Sequence, residues 1–130
     1  MPSQNNTGRQ YDKQHSVTIV ATAAIVACRF CAYDGTHATS AGGVKDAQGV
    51  SETAAETGDA FSAITGYSAL VEASEAITFG AYVKPAADGS GKAAVGAVDE
   101  HCGRALGAAT AAGQLIEVQI VKHQHADVEV

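Results

Sequence analysis

Among the 130 residues, the side chains with chemical potential are three cysteines, five histidines and fourteen carboxylates. Cys28-Arg29-Phe30-Cys31 forms a CxxC pair, and His101-Cys102 follows far downstream. Together they supply the donor types of a Cys₃His zinc site. In a strand, residues three apart point to opposite faces, so one ion cannot easily take both sulfurs of the pair. A redox CxxC needs a helix opening after its first cysteine, and the residues around Cys28 are strand formers. His101 and Cys102 are adjacent and diverge in a strand, so a Cys–His dyad would need partners such as His37, His123 or His125 brought in from other segments. His123 and His125 share one strand face and are able to hold a metal weakly. The simpler reading of the pair is a solvated terminus.

The stretch ADGSGKAAVG (87–96) has the look of a phosphate loop, but Ala86 and Ala93 stand where that loop needs Gly and Ser or Thr. No HExxH or GxSxG motif occurs. The scattered carboxylates Glu52, Glu56, Asp59, Glu72 and Glu75 read as solvated turn and strand-face residues. No catalytic residue, no metal ligand and no cofactor is therefore assigned, and the expectation is a protein that is not an enzyme. A metal- or thiol-dependent small enzyme built on Cys28, Cys31 and Cys102 is one alternative.

The elements that carry these residues are short. Apolar runs are cut by glycine at intervals that leave room for strands and rarely for a helix of ten residues. Asp34-Gly35 and Asp88-Gly89 are hairpin signals of the type I′ kind. Ile116, Val118 and Ile120 alternate with polar residues, the pattern of a one-sided strand. AFSAITGYSALVEA (60–73) reads as two strands meeting near Gly66. The Ala-rich stretches 51–58 and 108–113 end in Gly and read as tight connections. The fold class is all-β, a small barrel or sandwich, with a jelly roll among the options. Residues 1–16 read as a flexible N-terminal arm, 17–122 as one β domain and 123–130 as a C-terminal tail.

The domain repeats itself. Phe30-Cys31-Ala32-Tyr33 matches Phe79-Gly80-Ala81-Tyr82, and each match is preceded by a similar strand and followed by an Asp-Gly turn. Each half then runs through an Ala-rich connection to a closing strand, which divides the domain into pseudo-repeats at about 17–66 and 67–122. Phe30 and Phe79 are expected to plug equivalent positions of a pseudo-symmetric core, with Tyr33 and Tyr82 on the other face.

Charge limits the partners. A net charge of −6 and scattered basic residues argue against nucleic acid and against an anionic membrane. An odd number of cysteines suits reduced thiols made in a cytoplasm. A second alternative comes from VTIVATAAIVAC (17–28), which ends like the lipobox before an acylated cysteine and would make the chain an exported lipoprotein beginning at Cys28. Its Val, Ile and Thr content suits a strand better. The Ala- and Val-rich core is thin, and oligomerisation commonly supplements such cores.

Several stretches resemble the capsid cement, or head decoration, proteins of tailed bacteriophages. They are Gly49-Val50 before Glu52-Thr53, Gly58-Asp59-Ala60, ALVEA (69–73), AITFGAYV (76–83), Gly103-Arg104-Ala105-Leu106 and AAGQLIEVQIV (111–121). The resemblance spans about residues 17–121 and carries no catalytic signature. It implies a small β-rich homo-oligomer on the outer surface of an expanded capsid, made in the host cytoplasm. Its implied partners are the major capsid protein, whose neighbouring subunits it bridges, and itself, as a trimer in first place and a dimer in second. The resemblance leaves the capsid-contacting residues unassigned. The arm, taken as residues 1–20, is expected to order on docking, as an added strand for example.

Overall fold

A computed structural model of the chain describes residues 13–125. The strands are β1 (Lys13–Val20), β2 (Phe30–Ala32), β3 (Ala47–Ser51), β4 (Ala60–Glu72), β5 (Tyr82–Pro85), β6 (Ala93–Val95), β7 (His101–Ala105) and β8 (Leu115–Gln124). One 3₁₀ turn, Gly43–Lys45, precedes β3, and the described residues contain no α-helix. The strands form a single antiparallel sheet in the order β2-β3-β4-β8-β7-β5-β6, with β1 also paired to β4. The sheet curls into a nearly closed barrel, so the expected all-β class holds. Residues 13–16, placed in the arm from sequence, are the start of β1, while 1–12 and 126–130 lie outside the described residues.

The sequence 60–73 forms one strand of thirteen residues rather than two. It nevertheless works as two. Its first part pairs with β1 and β3, and its second part pairs with β8. Between them Tyr67 takes a left-handed backbone with φ of 43°. That break shifts the in-out alternation by one, and Ile64, Ala69 and Val71 all enter the same core cluster.

The repeat is written into the hydrogen-bond registers. All five β4–β8 pairs have a counterpart between β1 and β4; Val71↔Ile116 matches Ile19↔Phe61, and Ala69↔Val118 matches Val17↔Ala63. The bridge Ile77↔Ala109 matches Ile25↔Ala55. Val83↔Gly103 matches Cys31↔Gly49, and Ala105↔Val118 matches Ser51↔Ala63. The offset is 52 residues through the first part of each half (Ile77 against Ile25), 54 at β3 and β7 (Gly103 against Gly49) and 55 at the closing strands (Ile116 against Phe61). Strand β4 is thus the closing strand of the first half and the opening strand of the second.

This register corrects the sequence alignment of the aromatics. Phe30 is matched by Tyr82, not by Phe79, because Phe30↔Val50 corresponds to Tyr82↔Arg104. Phe30 is buried in the main core, whereas Phe79 lies in a turn and is 71% exposed. Tyr33 is also exposed, and Tyr82 is half-buried. The shared Phe-x-Ala-Tyr text is therefore not the repeated core. The repeated core is Ala21, Ile25, Cys31, Ala55, Phe61 and Ala63 in one half, against Ala73, Ile77, Val83, Ala109, Ile116 and Val118 in the other. Buried apolar area of this kind supplies most of the folding free energy.

The Asp-Gly turns also differ from a type I′ pair, which needs positive φ at both central residues. Only the glycines, Gly35 and Gly89, have positive φ, both 84°. Asp34 Oδ1 accepts the Thr36 backbone N–H at 3.1 Å, and Asp88 Oδ1 accepts that of Ser90 at 2.9 Å. The aspartates act as side-chain turn formers, which leaves only the glycine in the left-handed region.

Two equivalent backbone positions explain residue choices. A Cβ on Gly49 would stand 2.6 Å from Ile64 O, and one on Gly103 2.7 Å from Gln119 O, its matched neighbour. No side chain fits at that crossing in either half. At the second position Gly80 has φ of 85°, and its counterpart is Cys28, at 63°. The matched bonds Cys28 N→Ser51 O and Gly80 N→Ala105 O hold both there. A left-handed cysteine is strained where glycine is not. We expect Gly103→Ala to destabilise the protein by about 2 kcal/mol, within the usual range for overpacking. Cys28→Gly should stabilise it by about 1 kcal/mol. Denaturant unfolding of the two variants checks both signs.

Candidate functional site

The thiols do not meet. Cys31 belongs to the smaller core cluster, Cys102 to the main one, and Cys28 sits half-buried in the left-handed turn before β2. Cys31 occupies the place that Val83 fills in the other half, so it serves as a small apolar side chain. Burial pushes its pKa up to about 11 and pushes that of Cys102 further still, with Asp46 and Glu100 adding to the second effect. Burial also raises Cys28, helped by the Glu72 carboxylate. Thiols held protonated are poor nucleophiles and poor metal ligands. Beside Cys102, the His101 ring packs on Tyr82 at a tilt of 39° with centroids 4.4 Å apart, and its Nδ1 lies 3.0 Å from Ala97 O. His37 accepts the Val26 N–H through Nε2 at 3.1 Å. The envisaged Cys₃His set is not assembled.

Processing at Cys28 would remove β1, which pairs with β4 at seven positions. Arg29, next to it, is tied into the fold as well. Its Nε and Nη2 donate to Glu72 Oε1 at 3.1 and 2.9 Å, and Nη1 donates to Ser90 O at 2.8 Å. That fork joins β4 to the turn between β5 and β6.

The chemistry the sequence read as a solvated tail is elsewhere more ordered. His123 is a strand residue of β8 with a side chain only 3% exposed. Its ring stacks on that of His125, with centroids 4.4 Å apart and planes at 19°. Asp46 flanks one edge of the stack, its Oδ1 lying 2.5 Å from His125 Nε2 and 3.8 Å from His123 Nδ1. Glu100 flanks the other edge, its Oε2 lying 3.2 Å from His125 Nδ1 and 3.7 Å from His123 Nε2. The two carboxylates are repeat mates: Asp46 stands three residues before Gly49, and Glu100 three before Gly103. The Asp46 hydrogen bond holds His125 above its usual range, while burial lowers His123. Asp46, His123 and His125 offer three ligand atoms within 4.8 Å of one another. The sequence signal for this site was the repeat read at an offset of 54, which pairs Asp46 with Glu100.

A cleft of about 350 Å³ opens between β3 and β8, lined by Phe30, Val50, Cys102 and Ile120, and His123 closes one end of it. Cys102 and His123 both line it, and burial holds the Cys102 thiol protonated.

The described residues define a duplicated all-β barrel whose halves share a strand. No protein-family model matches the chain, and no curated protein matches it. Among solved structures it is similar to the N base of head fiber gp8.5 of bacteriophage phi29, with a TM-score of 0.66 and 21% sequence identity. The match covers 89% of this chain and 98% of that one. At that identity the likeness is one of fold.

The burial of Cys31 carries a pH signature. Its folded pKa lies above its unfolded value near 9, so the native state holds its proton more tightly than the unfolded chain does. Its contribution is complete below pH 9 and is lost as the pH rises from about 9 towards 11. Cys31→Val, the residue of the other half, should fold and lose less stability over that interval than the unmodified chain. Denaturant midpoints measured at pH 8 and pH 10.5 test it, and an equal loss in both proteins contradicts it.

Proposed function

We propose that this protein is a structural component of a bacteriophage head, bound to the outer surface of the assembled shell. The observation that carries the reading is the likeness to the solved phi29 head fiber base, which takes in nearly the whole of both chains. The resemblance of residues 17–121 to capsid cement proteins supports the same setting from sequence. The chemistry is compatible: two buried thiols held protonated, a nearly closed hydrogen-bonded sheet and a net negative charge suit a block that binds rather than reacts.

In this reading the protein bridges neighbouring major capsid subunits as a homo-oligomer, with a trimer first and a dimer second. A molecule that binds only the assembled shell stabilises it by mass action, and many equivalent copies add their contributions. Exposed apolar side chains such as Phe79, Val98, Val44 and Tyr33 are the natural contact candidates on an otherwise polar surface.

Strand β1 narrows the arm idea. Deleting residues 1–20 would strip β1 from the barrel and destroy the fold being tested. Removal of residues 1–12 alone leaves β1 in place. We expect the purified full chain to co-sediment with heads from the phage that encodes it, and gold-labelled antibody to decorate those heads. Label confined to tails, or protein left entirely in the supernatant, overturns the proposal. The 1–12 deletion should remain folded by circular dichroism and sediment with heads at least tenfold more weakly. Unchanged sedimentation removes the arm from the reading and leaves the head assignment standing.

A further inference from the structure

From the cluster at the end of β8 we infer a binding site for a first-row divalent transition metal, zinc being the type case, with Asp46, His123 and His125 as its ligands. The donor set is two imidazoles and one carboxylate, which suits zinc, cobalt or nickel and does not suit magnesium or calcium. The three ligand atoms are Asp46 Oδ1, His123 Nδ1 and His125 Nε2. In a tetrahedral zinc site with bonds near 2.0–2.1 Å, ligand atoms stand roughly 3.3 Å apart. Here Asp46 Oδ1 lies 2.5 Å from one ring nitrogen and 3.8 Å from the other, and the rings stack with planes 19° apart, so binding turns both rings out of the stack until their in-plane lone pairs meet at the ion.

The proton positions favour the same edge. The Ala47 N–H donates to His123 Nδ1 at 3.0 Å, which sets the ring proton on Nε2; the ion takes that lone pair only by displacing the Ala47 bond. Nε2 of His123 is buried with no hydrogen-bond partner among the described residues, and Glu100 Oε2 lies 3.7 Å beyond it. His125 Nδ1 lies 3.2 Å from the same Glu100 oxygen. Both rings can therefore direct their N–H groups at Glu100, and a turn of the His123 ring away from the Ala47 N–H brings its lone pair to the Asp46 side. One carboxylate orients the imidazoles from behind, and its repeat mate binds the ion with them, the arrangement common to histidine–metal sites. On binding, the ion replaces the proton held between Asp46 Oδ1 and His125 Nε2, and that proton leaves to solvent.

The site ties the end of β8 to the segment just before β3, across the mouth of the cleft. It has no counterpart in the first half, because Ser68 and Leu70 stand at the positions that match His123 and His125. Nothing in the head-associated reading requires it, and it stands or falls separately.

The test uses the full chain without an affinity tag. Zinc should bind in isothermal titration, about one ion per chain, and raise the unfolding temperature. Cobalt should give visible d–d bands of a nitrogen–oxygen site without the intense near-ultraviolet band of thiolate ligation. His125→Ala and Asp46→Asn alter partly exposed side chains and should fold, and each should lose the zinc-induced shift. Glu100→Gln should weaken binding about 10–100-fold, as expected for an outer carboxylate. His37→Gln and Cys28→Ser should bind as the unmodified chain does. No zinc binding by the unmodified chain, or an undiminished shift in both His125→Ala and Asp46→Asn, overturns the inference. A thiolate band in the cobalt spectrum does so too.

Discussion

Strand β4 is the constraint on which the barrel depends. One continuous run of backbone must close the first half and open the second, so its two ends need different partners and different inward faces. The left-handed residue Tyr67 meets that demand by shifting the alternation midway. Without that shift Ile64 could not share a face with Ala69 and Val71, and the main core would lose its centre. Everything else repeats around this strand, down to the crossings at Gly49 and Gly103, where a carbonyl passes too close for any side chain.

The duplication explains residues that look functional in isolation. Cys31 stands where the second half has Val83, and Cys28 where it has Gly80. Neither position needs a thiol for chemistry, and the CxxC spacing follows from one core place and one turn place lying three residues apart. Asp46 and Glu100 are also mates, but the two halves use them unequally. The end of strand β8 and the residue after it place two histidines between them, so equivalent carboxylates face opposite edges of one imidazole stack. A symmetric framework thus acquires one asymmetric polar site.

Much of the fold was legible from the residues. Glycine punctuation, the alternation at Ile116, Val118 and Ile120, and the recurrence of similar text all indicated an all-β chain. The alignment of that recurrence was not legible. Phe-x-Ala-Tyr is conspicuous because aromatics are rare here, yet the physical repeat lies three residues away and is carried by Ala21 and Ile25 against Ala73 and Ile77. Small buried side chains make a weak signal in Ala-rich text, and only the hydrogen-bond register separates them from chance. Strand β1 was cut short for a related reason: residues 13–16 are exposed on an outer strand, so their polarity imitates an unstructured arm. The histidine cluster was missed because its carboxylates come from loops 79 and 25 residues distant in sequence, the separations of His125 from Asp46 and from Glu100.

A nearly closed barrel with two of its three thiols buried and a net negative charge is well suited to coating a larger assembly. The proposal that it coats a phage head is tested most directly by electron cryomicroscopy of heads from a phage whose genome encodes it. A structural role predicts ordered density outside the shell into which the duplicated barrel fits, with β4 running through both halves and the density touching adjacent capsid subunits. Heads at side-chain resolution whose outer surface lacks such density, from lysates that contain the protein in its folded form, would contradict it.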